Sequence, residues 1–486
     1  MSPALASSIG RIVWPAVRCS RGEAGIAALR PLFDAYPPGG VIVFGEGAPD
    51  VEELIARVRL AIPGDVLISS DLERGCGQQV AGRTNLPPAM AIAAAEAAGG
   101  DAAYEAGLLT GIEAREAGID VVYAPVADVN TIATNPIIAT RAFGDDPHRV
   151  ATLACAFARG VADGGALAVG KHFPGHGSTQ QDSHNELARV TREAESLHAI
   201  DLMPFRALIA EGVGGLMVGH LEVPALDPIP GRPATASPAI VRELLRERLG
   251  YDGLLVTDAL DMGGFGDSPD AATEALVAGM DVLLMPADPL ASARALHAAV
   301  DAGRVDAALV EAAAARVQTA CELVQAAAPP QRRPAADLGP RLLADSITSR
   351  GGEPLRLHRG EAIDLQIFGE DEGGFVLAAV SEALIAAGIE RSPEGRPVAL
   401  VLTSVRAWAG SSRLDDTARE RLHWNIDNGR LEQVLVMGSP YEALDLPAGA
   451  AALVAYEATP AAAFALVAVL AGRAAAPGTL PVGRAS

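Results

Sequence analysis

The chain has 486 residues, of which 50% are hydrophobic and 20% charged, and this composition excludes an intrinsically disordered protein. Its 38 Lys and Arg against 60 Asp and Glu give a net charge of −22, so nucleic acid is not expected as a partner. The sequence contains no run of about 18 uncharged apolar residues, so no membrane span is expected either.

The N-terminal segment and the cysteines indicate a cellular compartment. The segment lacks a basic start followed by an apolar run, so we expect no signal peptide. The cysteines are scattered without a CxxC pair, which predicts neither a disulfide framework nor a thiolate metal site: Cys19, Cys76, Cys155 and Cys321. We therefore expect a cytoplasmic protein with reduced thiols.

Short apolar runs without polar alternation recur through the first two thirds of the chain, as in strands that are buried on both faces. These runs are Arg11–Trp14, Val41–Phe44, Val66–Ser69, Val121–Ala124, Leu167–Gly170, Leu216–Gly219, Leu254–Thr257 and Val282–Met285. Ala-rich helical segments separate them, such as Val51–Leu60, Ala102–Ala117, Val150–Asp163, Ser237–Leu249 and Ala271–Ala278. Eight such units predict a (β/α)₈ TIM-type barrel. A doubly wound open sheet is the alternative, although the GxGxxG signature of its dinucleotide-binding form is absent.

A Pro-rich segment divides the chain. We predict a barrel over residues 1–326, an extended linker over 327–340 and a smaller C-terminal α/β sandwich domain over 341–486. The strands expected in the smaller domain are Ile363–Phe368, Val398–Thr403, Val434–Met437 and Ala452–Tyr456.

Titratable side chains gather directly after the predicted barrel strands, where the mouth of a barrel carries its active site. They are Asp71, Glu73 and Arg74 after the third strand, Asp128, Asn130, Arg141 and Asp145 after the fourth, Lys171, His172, His176, Asp182 and His184 after the fifth, His220 after the sixth, and Asp258 and Asp261 after the seventh. A single barrel face therefore carries the candidate chemistry.

The loop after the fifth strand is the most informative of these segments. It runs from Lys171 to about Leu187 and holds three of the nine histidines in the chain. Ordinary βα loops have about 2–6 residues, and longer ones are often lids or binding loops. Asp182 and His184 are two residues apart, so an extended backbone would place them on one face as a general acid/base pair.

Other interpretations of these residues remain open. Imidazoles at His172, His176, His184 and His220 could bind zinc, although their spacing matches no HExxH-type motif. Lys171 could form a Schiff base, but that would leave the histidine loop unexplained. Asp71 and Asp258 could instead cap helices, and Asp261 lies further into its loop.

The text KHFPGHGSTQQDSH resembles the signature loop of the NagZ-like β-N-acetylglucosaminidases of glycoside hydrolase family 3. Further segments match that family in order: TRAFGDDP at 140–147, GHLEVPALD at 219–227, RPATASP at 232–238 and GLLVTDALDMGG at 253–264. The resemblance covers about residues 10–325, and the C-terminal part is similar to the second α/β domain of two-domain members.

The resemblance implies a role for each matching residue. Asp258 would be the catalytic nucleophile, and His184 the general acid/base with Asp182 as its hydrogen-bonding partner. Four residues would bind the N-acetylglucosamine: Asp71, Arg141, Lys171 and His172. The family's usual D-x-E-G-G-R-V reads DLERGCGQQV here, so Arg74 replaces a glycine and the leaving-group preference is open.

The expected activity is that of a retaining exo-β-N-acetylglucosaminidase that needs no metal or other cofactor. Its expected partner is a small carbohydrate, from muropeptides or chitooligosaccharides. One alternative is a phosphorylase acting on the same bond, because a neutral His184 would repel phosphate less than a carboxylate would. Another, from a different class, is an inactive sugar-binding relative. The sequence gives no indication of the oligomeric state.

Overall fold

The structure is a computed structural model that describes residues 3–96, 101–181, 186–265, 269–371, 373–403 and 412–483. Its strands are β1 (Val13–Trp14), β2 (Ala16–Arg18), β3 (Gly40–Phe44), β4 (Leu67–Ser70), β5 (Val121–Val122), β6 (Leu167–Phe173), β7 (Ala188–Arg189), β8 (Gly215–Val218), β9 (Leu221–Glu222), β10 (Leu254–Thr257), β11 (Leu283–Leu284), β12 (Thr348–Arg350), β13 (Ala362–Gly369), β14 (Glu390–Arg391), β15 (Arg396–Leu402), β16 (Gln433–Met437) and β17 (Ala452–Ala455).

The α-helices are α1 (Pro3–Ile12), α2 (Gly22–Ala35), α3 (Val51–Ala61), α4 (Ala89–Glu96), α5 (Ala102–Glu116), α6 (Pro147–Asp163), α7 (Ala194–Ala199), α8 (Leu202–Ala210), α9 (Pro269–Ala278), α10 (Pro289–Asp301), α11 (Ala307–Ala326), α12 (Leu338–Ser346), α13 (Phe375–Ala387), α14 (Asp416–Asp427), α15 (Tyr441–Asp445) and α16 (Pro460–Leu470). A π-helix spans Ala239–Arg248. No helix in the described ranges is both long and apolar enough to span a bilayer.

The chain divides into two compact units that are interleaved in sequence. The first comprises residues 1–85, 104–129 and 147–334, and the second comprises 86–103, 130–146 and 335–486. The last division, between 334 and 335, falls inside the Pro-rich segment that was expected to be a linker. The sequence-based domains were contiguous, whereas two segments from the first third of the chain belong to the second unit.

The first unit is a closed parallel barrel. Seven strands form one sheet in the order β10-β8-β6-β5-β4-β3-β2, and β1 pairs in parallel with β11. Only Pro15 separates β1 from β2, so the two pieces continue one strand position. On the other side Thr257 N donates to Val282 O at 3.0 Å, which joins β10 to the start of β11. The ring therefore closes at eight positions, and the predicted (β/α)₈ barrel is confirmed.

The barrel strands are apolar because both of their faces are covered. All four residues of β4, β8 and β10 are buried, and so are all seven of β6. Helices pack outside, and α6 shows why they do so. Its residues Val150, Leu153, Phe157 and Val161 recur at three- and four-residue spacing and are all buried. The apolar interior thus leaves the strand ends as the places where polar groups can meet.

The second unit is a three-layer α/β sandwich. Its sheet has the order β12-β17-β16-β15-β13-β14, in which only the β12–β17 pair is antiparallel among the described strands. Alternate residues of β15 face opposite layers. Val398 and Leu400 join a core with α13 and α16, while Ala399 and Val401 join a core with α14 and α4. This unit confirms the predicted smaller α/β domain.

Candidate active site

The carboxyl ends of the barrel strands place the candidate residues. Asp71 directly follows β4, His220 follows β8 by one residue and Asp258 directly follows β10, whereas Lys171 and His172 belong to β6 itself. Because all these strands are parallel, their carboxyl ends lie at one end of the barrel.

Lys171 links two acidic side chains at this end of the barrel. Its Nζ lies 2.7 Å from Asp71 Oδ1 and 2.7 Å from Glu73 Oε1, and the lysine side chain is only 3% exposed. It is the only lysine in the sequence; every other basic residue counted with it is an arginine. An ammonium shared by two carboxylates is stabilised in its protonated form, which argues against a Schiff-base role.

Asp128 organises the start of the histidine loop. The fully buried carboxylate accepts hydrogen bonds from His176 N at 2.6 Å and His172 N at 3.2 Å, and its Oδ2 lies 2.7 Å from His172 Nδ1. Burial opposes ionisation of Asp128, but His172 and His176 outweigh it and hold the pKa below its ordinary value. This contact directs the Nδ1 edge of His172 towards Asp128.

The surroundings of Asp258 favour the ionised form of its carboxyl group. The half-buried carboxylate accepts a hydrogen bond from the backbone N–H of Ala259 at 2.9 Å. Burial would raise the pKa of Asp258, but the neighbouring His172, His220 and Lys171 side chains and this hydrogen bond leave it below its ordinary value. The group is therefore ionised at neutral pH, as a carboxylate nucleophile must be.

Two other histidines, His176 and His220, are buried and form hydrogen bonds within the protein. His176 Nδ1 lies 2.6 Å from Thr179 Oγ1, and burial lowers the pKa of His176 to about 4. His220 Nδ1 lies 2.9 Å from Thr235 Oγ1, and its Nε2 lies 3.0 Å from Ala259 O. No group of three or more His, Cys, Asp or Glu side chains in the described ranges has a geometry that could hold a metal ion.

A buried ion pair lies beside the histidine loop. Asp201 is fully buried, and its Oδ2 lies 2.7 Å from Arg192 Nε, on the chain that leaves the loop. Burial raises the pKa of Asp201 to about 7. Asp201 also packs against Gly175, where the chain enters the loop. The two ends of the loop therefore contact one side chain, directly or through Arg192.

The structure describes some of the expected site residues and not others. Asp182 and His184 lie outside the described residues, so their pairing stays a prediction. Arg141 belongs to the second unit, where its guanidinium donates to Ile137 O at 2.9 Å, and its sugar contact stays a prediction as well. Asp71 and Asp258 bond to Lys171 and Ala259 respectively, and neither directly precedes a helix.

Sequence reasoning assigned no function to Glu73, Asp128, Thr235 or Asp201. The signal for Asp128 was a carboxylate within the apolar text APVADV, in the loop that follows β5. Asp201 directly precedes a helix, and its burial under a glycine of another segment had no signal in the sequence.

Comparison with known proteins identifies the family. The model of the glycosyl hydrolase family 3 N terminal domain matches residues 32–320, more than half of the chain. The chain belongs to glycosyl hydrolase family 3. This family 3 chain is thus a glycoside hydrolase, and the resemblance found in its sequence is confirmed.

Relatives of this family 3 protein cover its two units to different extents. A β-hexosaminidase from Methylococcus capsulatus is 42% identical over 268 residues, which are 54% of this chain and 79% of that protein. A family 3 β-N-acetylglucosaminidase structure from Paenibacillus sp. str. FPU-7 is 29% identical with a TM-score of 0.82, and the match covers 98% of each chain. The β-glucoside phosphorylase BglX shares the fold, with a TM-score of 0.84 at 21% identity over 98% of this chain and 93% of its own.

Proposed function

We propose that the protein is a retaining exo-β-N-acetylglucosaminidase that releases terminal β-linked N-acetylglucosamine through a glycosyl-Asp258 intermediate. The observation that carries this proposal is an ionised carboxylate at the end of β10, whose pKa is lowered by His172 and Lys171 of β6. The β-hexosaminidase relative and the β-N-acetylglucosaminidase structure support the same substrate class.

The proposed reaction assigns separate work to separate strand ends. Asp258 attacks the anomeric carbon, and the sugar oxygen leaving that carbon takes a proton from His184, which Asp182 orients. Water then attacks the anomeric carbon of the intermediate, His184 accepts a proton from that water, and the bond to Asp258 breaks to release its carboxylate. The carboxylates of Asp71 and Glu73 can accept hydrogen bonds from sugar hydroxyls, while Lys171 donates one and offsets their charge.

The natural substrate and the cellular compartment are also part of the proposal. The expected substrates are muropeptides or chitooligosaccharides, and the expected compartment is the cytoplasm, which would suit cell-wall recycling. Comparing kcat/KM for hydrolysis of an N-acetylglucosaminyl-anhydromuramyl peptide with kcat/KM for chitobiose would distinguish the two substrate classes.

The decisive experiment replaces the nucleophile. We expect the wild type to hydrolyse 4-nitrophenyl N-acetyl-β-glucosaminide, and Asp258→Asn to lose about 10³-fold or more in kcat. A 5-fluoro glycoside should label Asp258, as shown by peptide mass mapping. Asp252→Asn is the matched control, because Asp252 is an exposed carboxylate before the same strand. Equal activity of Asp258→Asn and Asp252→Asn would refute the assignment.

The pH profile gives an independent check of the same site. Asp258 must be deprotonated to attack, and its pKa is held below the ordinary carboxyl value. The acid limb of kcat/KM should therefore lie below the range of ordinary carboxyl groups, and activity should persist as the pH falls to that range. A limb near pH 6 that Asp258 variants leave in place would belong to another group.

Phosphorolysis of the same bond is the second candidate, supported by the imidazole expected at His184, which is neutral once it has given its proton to the leaving group and would repel phosphate less than a carboxylate would. The shared fold of the phosphorylase does not decide it, because fold alone does not determine the acceptor. Turnover in phosphate buffer should give free N-acetylglucosamine; accumulation of N-acetylglucosamine 1-phosphate would instead favour phosphorolysis.

A further inference from the structure

His220 has a fixed protonation state because of its two partners. The carbonyl oxygen of Ala259 can only accept, so the 3.0 Å contact requires a proton on His220 Nε2. Nδ1 of a neutral ring is then an acceptor, and the Thr235 hydroxyl donates to it at 2.9 Å. The ring is fully buried, and this burial lowers the pKa of His220, so the neutral Nε2–H form persists at neutral pH.

Both ring nitrogens are therefore used within the protein. A ring in this state has no free nitrogen with which to exchange a proton with substrate or to hold a metal. The ring also packs against Phe265, with centroids 5.1 Å apart. These contacts fix the position of the imidazole relative to the strand end at β8.

The residue that His220 holds by its carbonyl, Ala259, is the one next to Asp258. Ala259 accepts from His220 through its carbonyl and donates through its N–H to Asp258 Oδ1 at 2.9 Å. The N–H of Asp258 itself donates to Val218 O of β8, at 2.9 Å. The turn after β10 is thus held by one backbone bond to the end of β8 and by the imidazole of His220, which lies just beyond that strand.

We infer that His220 is a positioning residue for Asp258: by holding the Ala259 carbonyl it fixes the backbone of Ala259, whose N–H on the other side of the Cα orients the attacking carboxylate. This inference rests on the proposed function, because it assumes that Asp258 is the nucleophile. It also explains the role of two sequence motifs of the chain, GHLEVPALD and RPATASP, which supply His220 and Thr235.

A second contact between the same two motifs supports the arrangement. Asp227 Oδ2 accepts from Ser237 Oγ at 2.5 Å, and both residues are buried. Ser237 follows Thr235 by two residues, so this bond fixes the segment that carries the Thr235 hydroxyl. The support of Asp258 therefore extends from Ser237 through Thr235 and His220 to Ala259.

The test compares two replacements of His220. The amide of His220→Gln can reach the position of Nε2 and donate to Ala259 O, whereas His220→Leu has similar bulk and no donor. We expect His220→Leu to lower kcat, and the rate of labelling by the 5-fluoro glycoside, by about 10- to 100-fold with little change in KM. His220→Gln should recover most of the loss, and Thr235→Val should lie between the two.

The pH profile separates positioning from a loss of folding. Without the oriented N–H, the acid limb of kcat/KM in His220→Leu should move to higher pH, since hydrogen bonding to the ionised form lowers a carboxyl pKa. The other side chains that lower the pKa of Asp258, His172 and Lys171, stay in place in each variant. Circular dichroism and the thermal midpoint then identify any variant that has failed to fold.

Nitrogen NMR of the wild type tests the inference without using activity. The ring of His220, assigned by its loss in His220→Gln, should appear as the neutral Nε2–H tautomer between pH 6 and 8. A charged or Nδ1–H ring, a folded His220→Leu with wild-type kcat, or a His220→Gln as poor as His220→Leu would each overturn the positioning role. A wild type without glycosidase activity but with the expected tautomer would instead refute the proposed function.

Discussion

The single lysine of this chain occupies a position that suits an ammonium group better than a guanidinium group. Lys171 brings a compact ammonium within 2.7 Å of both Asp71 and Glu73, in an environment that leaves 3% of its side chain exposed. A guanidinium is planar and larger, and it suits bidentate contact with one carboxylate better than a bridge between two. A chain that otherwise uses arginine throughout has kept lysine at this position.

Lys171→Arg should therefore fail to preserve the site. We expect kcat/KM for the aryl glycoside to fall by about 10²-fold or more, because the larger head displaces the acids or the sugar. The reverse exchange at a surface pair, Arg30→Lys beside Asp34, is the control and should leave kcat/KM unchanged. An active Lys171→Arg would show that only the positive charge matters.

The elements of the barrel were readable from sequence, but their boundaries at the site were not. The apolar run of β6 was expected to end at Gly170, yet the strand continues through Lys171 and His172 to Phe173. A hydrophobic pattern cannot register buried polar residues as strand, because their burial depends on partners elsewhere in the chain. Asp71 and Asp128 are those partners here, and they come from the ends of other strands.

Gly175 shows the same dependence at the entry of the histidine loop. Its φ is +129°, and a Cβ built there would lie 2.7 Å from Asp201 Cβ. Gly175→Ala should therefore push the loop away from Asp201 and lower both kcat and the thermal midpoint. The loss of kcat should exceed about tenfold, since the segment leads directly to the proposed acid/base.

Gly212→Ala separates backbone strain from this collision. Gly212 also has a positive φ, of +74°, but no atom within 4 Å of a built Cβ. Its replacement should destabilise the protein by about 1–2 kcal/mol and leave kcat unchanged. Equal kcat values in the two variants would show that the contact between Gly175 and Asp201 does not position the loop.

For the whole molecule, the sequence predicted the folds of both units but not which segments of the chain belong to each unit. Periodicity reports which residues are buried, not which core receives them. Met90, Ala91 and Ala94 of α4 look like part of any barrel helix, yet they pack with Phe368, Val401 and Val436 of the second unit. Asn130 likewise accepts from Tyr441 Oη through its backbone carbonyl, at 2.8 Å.

A chain ending at residue 334 should therefore not behave as an independent enzyme. It retains α4 but loses the sheet that buries it, so Met90 and its neighbours would become exposed. Exposing a buried methionine side chain alone forfeits about 1.5–3 kcal/mol. Residues 86–103 and 130–146 would lose their packing partners together, because both belong to the second unit.

We expect aggregation or a broad thermal transition of the chain ending at residue 334, measured by size-exclusion chromatography and calorimetry. Co-expression of residues 335–486 should restore a sharp transition and activity, since the missing core is then supplied in trans. A chain of residues 1–334 that alone gave a sharp transition and wild-type kcat would contradict this interleaved dependence.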